Sequence, residues 1–347
     1  CTASFINIQF SNGKSDYGSA IYSGYGCNVN IDNCTFIGNN ANRQGAVYVN
    51  QNSHLSINNS VFSDNIADKG GAVYGAKSTD LKIDNSTFTS NEANDKGGAI
   101  FIDESSGLNI NNCHFSNLIA EVDGGAIYGR SNVIVKRSTF NDTTANTGSG
   151  GAIYTSSGYV SVSNSTFINN TADIDGGAIY SSSDSIRVID SNFSYTTVVG
   201  WGSGGAIFGN AGVDVINSNF TNTQAGIWGG AIFGRNSISV SNSTFTNNKA
   251  NNGGSIYIGC NGNLIVSESI FDHIVANIDG GAIYGETGTN INVSNSTFIN
   301  ATATEYGGAI YGEGSVSVVD CQFINNTADY GGVIYGQSDC GVSVIGS

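Results

Sequence analysis

The chain has 347 residues, a net charge of −15 and only 11% charged side chains, with 48 glycines and neither proline nor methionine. Phosphate binding needs clustered Lys and Arg, so this balance excludes a nucleic-acid partner, and no apolar run reaches the ~18 residues of a membrane span. A proline-free sequence suits a fold in which nearly every backbone N–H is donated to a ladder. The opening carries no secretory leader and no Met, which reads as a mature form or an excised segment.

One unit recurs along the chain. Taken in order, it begins with two aliphatic residues seven and five positions before a phenylalanine, as in Leu55 and Ile57, Val160 and Val162, Ile238 and Val240, Val316 and Val318. This period-two alternation predicts a strand with one buried face. Only the first unit departs much, with Ala3 and Phe5. Three positions before the Phe stands Asn or Asp in eleven of thirteen units, for example Asn33, Asn85, Asn164 and Asp190. These residues tolerate the left-handed backbone of a tight bend. Ser or Cys follows in twelve units, and five positions after the Phe eleven units have Ala, such as Ala67, Ala172 and Ala328. A polar corner then leads to Gly-Gly and a short apolar strand like Ala282-Ile283-Tyr284.

The phenylalanines run from Phe10 to Phe323 and the closing aromatics from Tyr22 to Tyr335, each series covering 313 residues in twelve steps. A period of about 26 carried by two separate markers is the signature of a solenoid, propeller or array. Propeller blades need more residues, and the unit has no helical pattern. Three short strands per unit predict an all-β chain, a single parallel β-helix domain over 1–347 with about 13 coils. Like positions then stack at ~4.8 Å, for a rod about 60 Å long. The phenylalanines should form an internal column, and the asparagines should bond coil to coil. In the last strand Ile is placed inward and Tyr outward, because the hydroxyl prefers water; the opposite phase is the alternative, since three adjacent apolar positions do not by themselves settle the pleat.

These residues resemble the repeats of chlamydial polymorphic membrane proteins, which carry GGA(I/L/V) and FxxN motifs. GGAI or GGAV stands at 70–73, 97–100, 124–127, 150–153, 176–179, 204–207, 229–232, 280–283 and 307–310. FxxN stands at Phe36–Asn39, Phe62–Asn65, Phe88–Asn91, Phe167–Asn170, Phe245–Asn248 and Phe323–Asn326, while seven other Phe lack that Asn. The string "NSTFINNTA" is also similar to adhesin-like surface proteins of methanogenic archaea. The resemblance covers the whole chain and implies a right-handed β-helix displayed outside the cell. It carries over no ligand.

Cys34, Cys113 and Cys321 take the small-residue position and read as buried. Cys1 and Cys27 share a phase nine positions before their Phe, so they should lie one coil apart at the Cα spacing a disulfide accepts. Cys340 has that phase in an unfinished coil, and Cys260 has no obvious partner. No CxxC or Cys–His cluster suggests a metal, and His54, His114 and His273 fall in different columns. No residue set reads as catalytic, cofactor-binding or metal-ligating.

Polysaccharide-active β-helices need carboxylates on neighbouring coils. The densest acids here are Asp103, Glu104, Glu121 and Asp123, with Arg130, Lys136 and Arg137 following, and they read as solvated corners. Trp201 and Trp228 fall on adjacent coils at one corner. With outward tyrosines such as Tyr128, Tyr154 and Tyr180 they make the candidate contact surface for a cell-surface glycan or protein. Sequons at Asn85, Asn164, Asn242 and Asn295 sit in the turn column. The ends of the segment read as uncapped, as in a piece of a longer array or a subunit that stacks head to tail into a filament, with Cys340 near Cys1 of the next copy. The expected role is an extracellular, surface-displayed structural and adhesive rod, not an enzyme. The alternative is a polysaccharide-active β-helix.

Overall fold

The computed structural model describes residues 1–337 and 340–347. Its described residues contain no helix, and the chain is an all-β parallel solenoid of about 13 turns. It divides into two compact units, Cys1–Asp173 with Ile179–Ser183, and Ile174–Ala178 with Asp184–Ser347.

In the first unit the aliphatic strands Asn28–Asp32, His54–Asn58, Asp80–Asp84 and Gly107–Asn111 pair in parallel, with Leu55 on Leu81 and Leu81 on Leu108. Successive side chains of a strand point to opposite faces. Leu55, Ile57, Leu81 and Ile83 are accordingly buried, while His54, Asp80 and Lys82 face outward. Phe36, Phe62, Phe88, Phe115, Phe140 and Phe167 stack with centroids 4.5 to 4.9 Å apart and planes within 6°. In the second unit Phe193, Phe220, Phe245, Phe271 and Phe298 do the same at 4.7 to 5.0 Å. The expected axial column is present in each unit, and each buried member stabilises by roughly 1.5–3 kcal/mol.

The bends follow the sequence chemistry. Asn33, Asn59, Asn85 and Asn112 adopt left-handed φ of 49° to 52°. A second left-handed column lies two residues after each Phe, at Asp64, Ser90, Asn117, Asp142 and Asn169, with φ of 51° to 56°. Along the chain nine of its thirteen positions carry Asn or Asp, a weaker form of the first column's signal.

The two glycines of the GGAI string have different tasks. Gly97 sits at φ +68°, and a Cβ there would lie 2.3 Å from the Ile100 carbonyl oxygen. Gly98 needs no unusual φ, but its Cβ would lie 2.2 Å from the carbonyl oxygen of Gly125 on the next turn. Gly97→Ala should therefore destabilise by more than about 1–2 kcal/mol. Gly24, where an added Cβ meets nothing within 4 Å, should accept Ala without loss. Urea midpoints of the two variants check this, and equal midpoints would show that the corner relaxes.

The Ala-Ile-Tyr strand has the predicted phase. Ile100, Ile127 and Ile153 are buried, and a Cβ on Gly75, at the Ile-plus-two position, would meet core Leu81 at 2.7 Å. The rings of Tyr74, Phe101 and Tyr128 therefore lie on the other side of the strand, yet they are only 2–5% exposed. The corner ahead of Gly-Gly folds back over them. Lys69 Nζ lies 5.7 Å from the Phe101 centroid and Lys96 Nζ lies 4.8 Å from that of Tyr128.

Candidate functional site

The predicted contact surface is only partly at the surface. In the first unit Tyr128 is buried under the Lys96 ammonium, which removes it from the candidate contacts. Tyr154 and Tyr180 are half-buried and stack at 4.8 Å. In the second unit Trp201 is 87% exposed, whereas Trp228 lies against the aromatic column, 5.3 Å from Tyr257 and 6.0 Å from Phe233. A Cβ built on Gly226 would come within 3.3 Å of Trp201 Cα, so the two tryptophan corners are neighbouring turns. Of the five residues, Trp201 is the one that offers a full face to solvent.

The acids of the first unit separate onto two corners. Asp103 and Glu104 meet Arg130 at 3.3 and 3.8 Å, and Lys77 reaches Glu104 at 3.5 Å. Asp123 holds Lys96 at 2.9 Å, and Glu121 accepts from Asn146 at 3.0 Å. Lys136 and Arg137 lie elsewhere, on the outer face of the aliphatic strands. There an open groove of about 690 Å³ is lined by Asp80, Lys82, Asp84, Asn111, Lys136 and Arg137 among others. Lys82 pairs with Asp84 at 3.1 Å, and Arg137 Nη2 donates to Asn111 Oδ1 at 2.5 Å. The alternating charges of "DLKID" were the available signal for this face.

In the second unit the tyrosine column hands its hydroxyls to carboxylate and amide oxygens. Tyr284 donates to Glu313 Oε1 at 2.7 Å, and Tyr311 donates to Gln337 Oε1 at 2.7 Å. Glu286 accepts from the Cys260 amide at 2.8 Å and lies 3.0 Å from its thiol. Burial pushes the Glu286 carboxyl up, but the Cys260 thiol, the Tyr257 hydroxyl, the Cys260 N–H and Arg235 together hold it below its ordinary value. A carboxyl held lower in the folded chain contributes stability that is complete above the unfolded glutamate range and is lost as pH falls through the folded value. Acid below the ordinary glutamate range should thus loosen this corner. Glu286→Gln should flatten the acid limb of the thermal midpoint, and an unchanged limb would assign the effect to other carboxyls.

Cys1 and Cys27 are joined by a disulfide with Cα atoms 4.4 Å apart. Cys34, Cys113 and Cys321 are buried free thiols, and burial raises that of Cys113 to about 11. Cys260 is exposed and Cys340 half-buried. A Cβ on Gly336 would lie 3.1 Å from the Cys340 sulfur. His273 Nδ1 lies 2.6 Å from Asp272.

A family profile described as right handed beta helix region matches residues 1–167 and 71–231. A second, described as Chlamydia polymorphic membrane protein repeat, matches 242–259 and 320–337. Those two stretches each combine FxxN with a Gly-Gly-x-Ile-Tyr string, at Phe245–Asn248 with 253–257 and at Phe323–Asn326 with 331–335. No curated protein and no solved structure matches the chain.

Proposed function

The chain belongs to the family of right-handed beta helix regions, and from that membership we propose a surface-displayed structural and adhesive repeat protein. The polymorphic membrane protein repeats in its second half support a place at the cell surface. The Cys1–Cys27 disulfide fits an oxidising exterior.

The observation that carries the reading is how the polar groups are used. Asp123 is tied to Lys96, Asp103 to Arg130, and Glu313 to the Tyr284 hydroxyl, each on an adjoining turn. Acids spent on the ladder do not form a pair aimed at a scissile bond. Long repeated faces of amide, hydroxyl and aromatic groups remain, and they suit contact with a cell-surface glycan or protein, or with another copy of the chain. Antibody raised against the chain should label intact source cells. Labelling that requires permeabilisation would overturn surface display.

The groove beside Lys136 and Arg137 favours a second reading, an enzyme acting on an acidic polysaccharide. Release of reducing ends from a polyuronate, lost in both Asp84→Asn and Lys136→Ala, would establish it. An inert wild-type chain against a polyuronate panel would leave the structural reading standing.

A further inference from the structure

The two units contain one corner in which the same aspartate geometry recurs without its lysine. In the first unit Lys96 and Asp123 precede the left-handed glycines Gly97 and Gly124 on successive turns, and the Gly97 N–H bonds the Asp123 carbonyl at 3.0 Å. Asp123 Oδ1 accepts the Ser149 N–H at 3.1 Å. Its Oδ2 holds the Lys96 ammonium at 2.9 Å, and that ammonium lies 4.8 Å from the centroid of Tyr128, five residues past Asp123.

In the second unit Asn252 and Asp279 precede Gly253 and Gly280, and the Gly253 N–H bonds the Asp279 carbonyl at 3.0 Å. Asp279 Oδ1 accepts the Tyr306 N–H at 3.1 Å. Tyr284 stands five residues past Asp279, stacked between Tyr257 at 4.8 Å and Tyr311 at 4.6 Å. The carboxylate, its backbone donor and its aromatic partner are all repeated. The lysine is not: Asn252 takes its place, with Oδ1 turned to the Asp279 N–H at 3.2 Å. Among the described residues Asp279 makes no ion pair, and Tyr284 is 8% exposed where Tyr128 is 4%. The same ladder places Trp228 before Asn252 and Tyr306 after Asp279. Tyr306 is thus the rung next to Asp279, and Trp228 is the rung beyond Asn252.

We infer that Asp279, with the Tyr284 ring below the neighbouring Asn252 position and Tyr306 on the next rung, is a binding site for the ammonium group of a lysine side chain presented by a partner protein. The occupant is argued from the first unit, where a lysine stem and ammonium fill the same geometry. One carboxylate oxygen with an aromatic face suits a compact point charge better than the bidentate fork of arginine. The chain's charge of −15 steers cationic partners towards it. The inference goes beyond surface display and does not depend on it.

Titration calorimetry of the whole chain with a tetralysine peptide tests it. Asp279→Asn, which keeps an acceptor for the Tyr306 N–H, should weaken binding about tenfold. Asn252→Lys should weaken it as much, by supplying the ammonium internally. Lys96→Asn should add a second site of similar affinity. Asp64→Asn, a removed charge at an exposed turn of the first unit, should change binding less than twofold, which separates the site from bulk attraction. Binding unaltered by both Asp279→Asn and Asn252→Lys would overturn the site. Equal binding of the Nε-acetylated peptide would overturn ammonium recognition. Spermidine binding as tightly as the peptide would overturn the assignment to a protein lysine.

Discussion

Phe115→Ala should cost the first unit about 3–5 kcal/mol. The ring is fully buried and stacks on Phe88 at 4.9 Å and on Phe140 at 4.6 Å, nearly parallel to both. Truncation removes the transfer free energy of the ring and two aromatic contacts, each worth about 0.5–1.5 kcal/mol beyond area. The site has little means of closing. Phe88, Phe115 and Phe140 are held opposite one another by backbone ladders on the same strands, so the neighbouring rings cannot approach without breaking those bonds. The hole therefore persists, and a persistent hole is the costly kind. In a repeat chain each turn leans mainly on its neighbours, so the loss should be local. Hydrogen exchange should accelerate most at the turns of Phe88, Phe115 and Phe140 and least at the turn of Phe36. A uniform acceleration across the unit would show one cooperative block in place of nearest-neighbour coupling. Ile119→Ala, at a side chain 41% exposed four residues on, should change the urea midpoint little.

The column that makes Phe115 vulnerable was readable from the sequence because two markers shared one period. The cover over the tyrosines was not. Its parts, such as Lys96 over Tyr128, come together only once the turn is closed and the preceding corner folds back. The acids show the same limit from the other side. Asp103 and Asp123 are close in sequence, but twenty residues is most of a turn of about 26, so they end on different corners. Conversely, Asp84 and Lys136 are far apart in sequence and line one groove, because Asp84 pairs with Asn111 and Asn111 with Lys136. The second left-handed column escaped detection for a chemical reason. Asn or Asp holds nine of its thirteen positions, but it also accepts Gly38, Ser90, Tyr195 and His273, so its mark is weaker than that of the first column. The repeated corner at Lys96 and Asn252 was likewise invisible as a site until register set each against its aspartate.

Asn65→Ala should rival the loss of a core ring, at about 3–5 kcal/mol, though it removes few atoms. Asn65 is fully buried. Its Nδ2 donates to the Phe36 carbonyl at 3.0 Å and to Asn91 Oδ1 at 2.8 Å. Its Oδ1 accepts the Asn39 N–H at 3.1 Å and Asn39 Nδ2 at 3.0 Å. Truncation leaves the buried Asn39 N–H without a partner, removes the side-chain bond to the Phe36 carbonyl and weakens both neighbouring amides. The orphaned N–H costs about 1–3 kcal/mol and each lost bond about 0.5–1.5 kcal/mol, and the sum is less than additive because the groups share one ladder. Two further variants separate hydrogen bonding from volume. Asn65→Leu refills the space with a side chain like that of Leu118, which is itself buried three residues past its Phe. It still orphans the Asn39 N–H and removes the side-chain bond to the Phe36 carbonyl, so it should stay destabilised by at least about 2 kcal/mol. Asn65→Asp keeps the acceptor but sets a carboxylate oxygen against the Phe36 carbonyl and Asn91 Oδ1, and it should be no better than Ala at neutral pH. Urea denaturation of the three variants decides between the two accounts. If Leu restores stability to within about 1 kcal/mol of the parent, the column is held by packing and its amides are incidental.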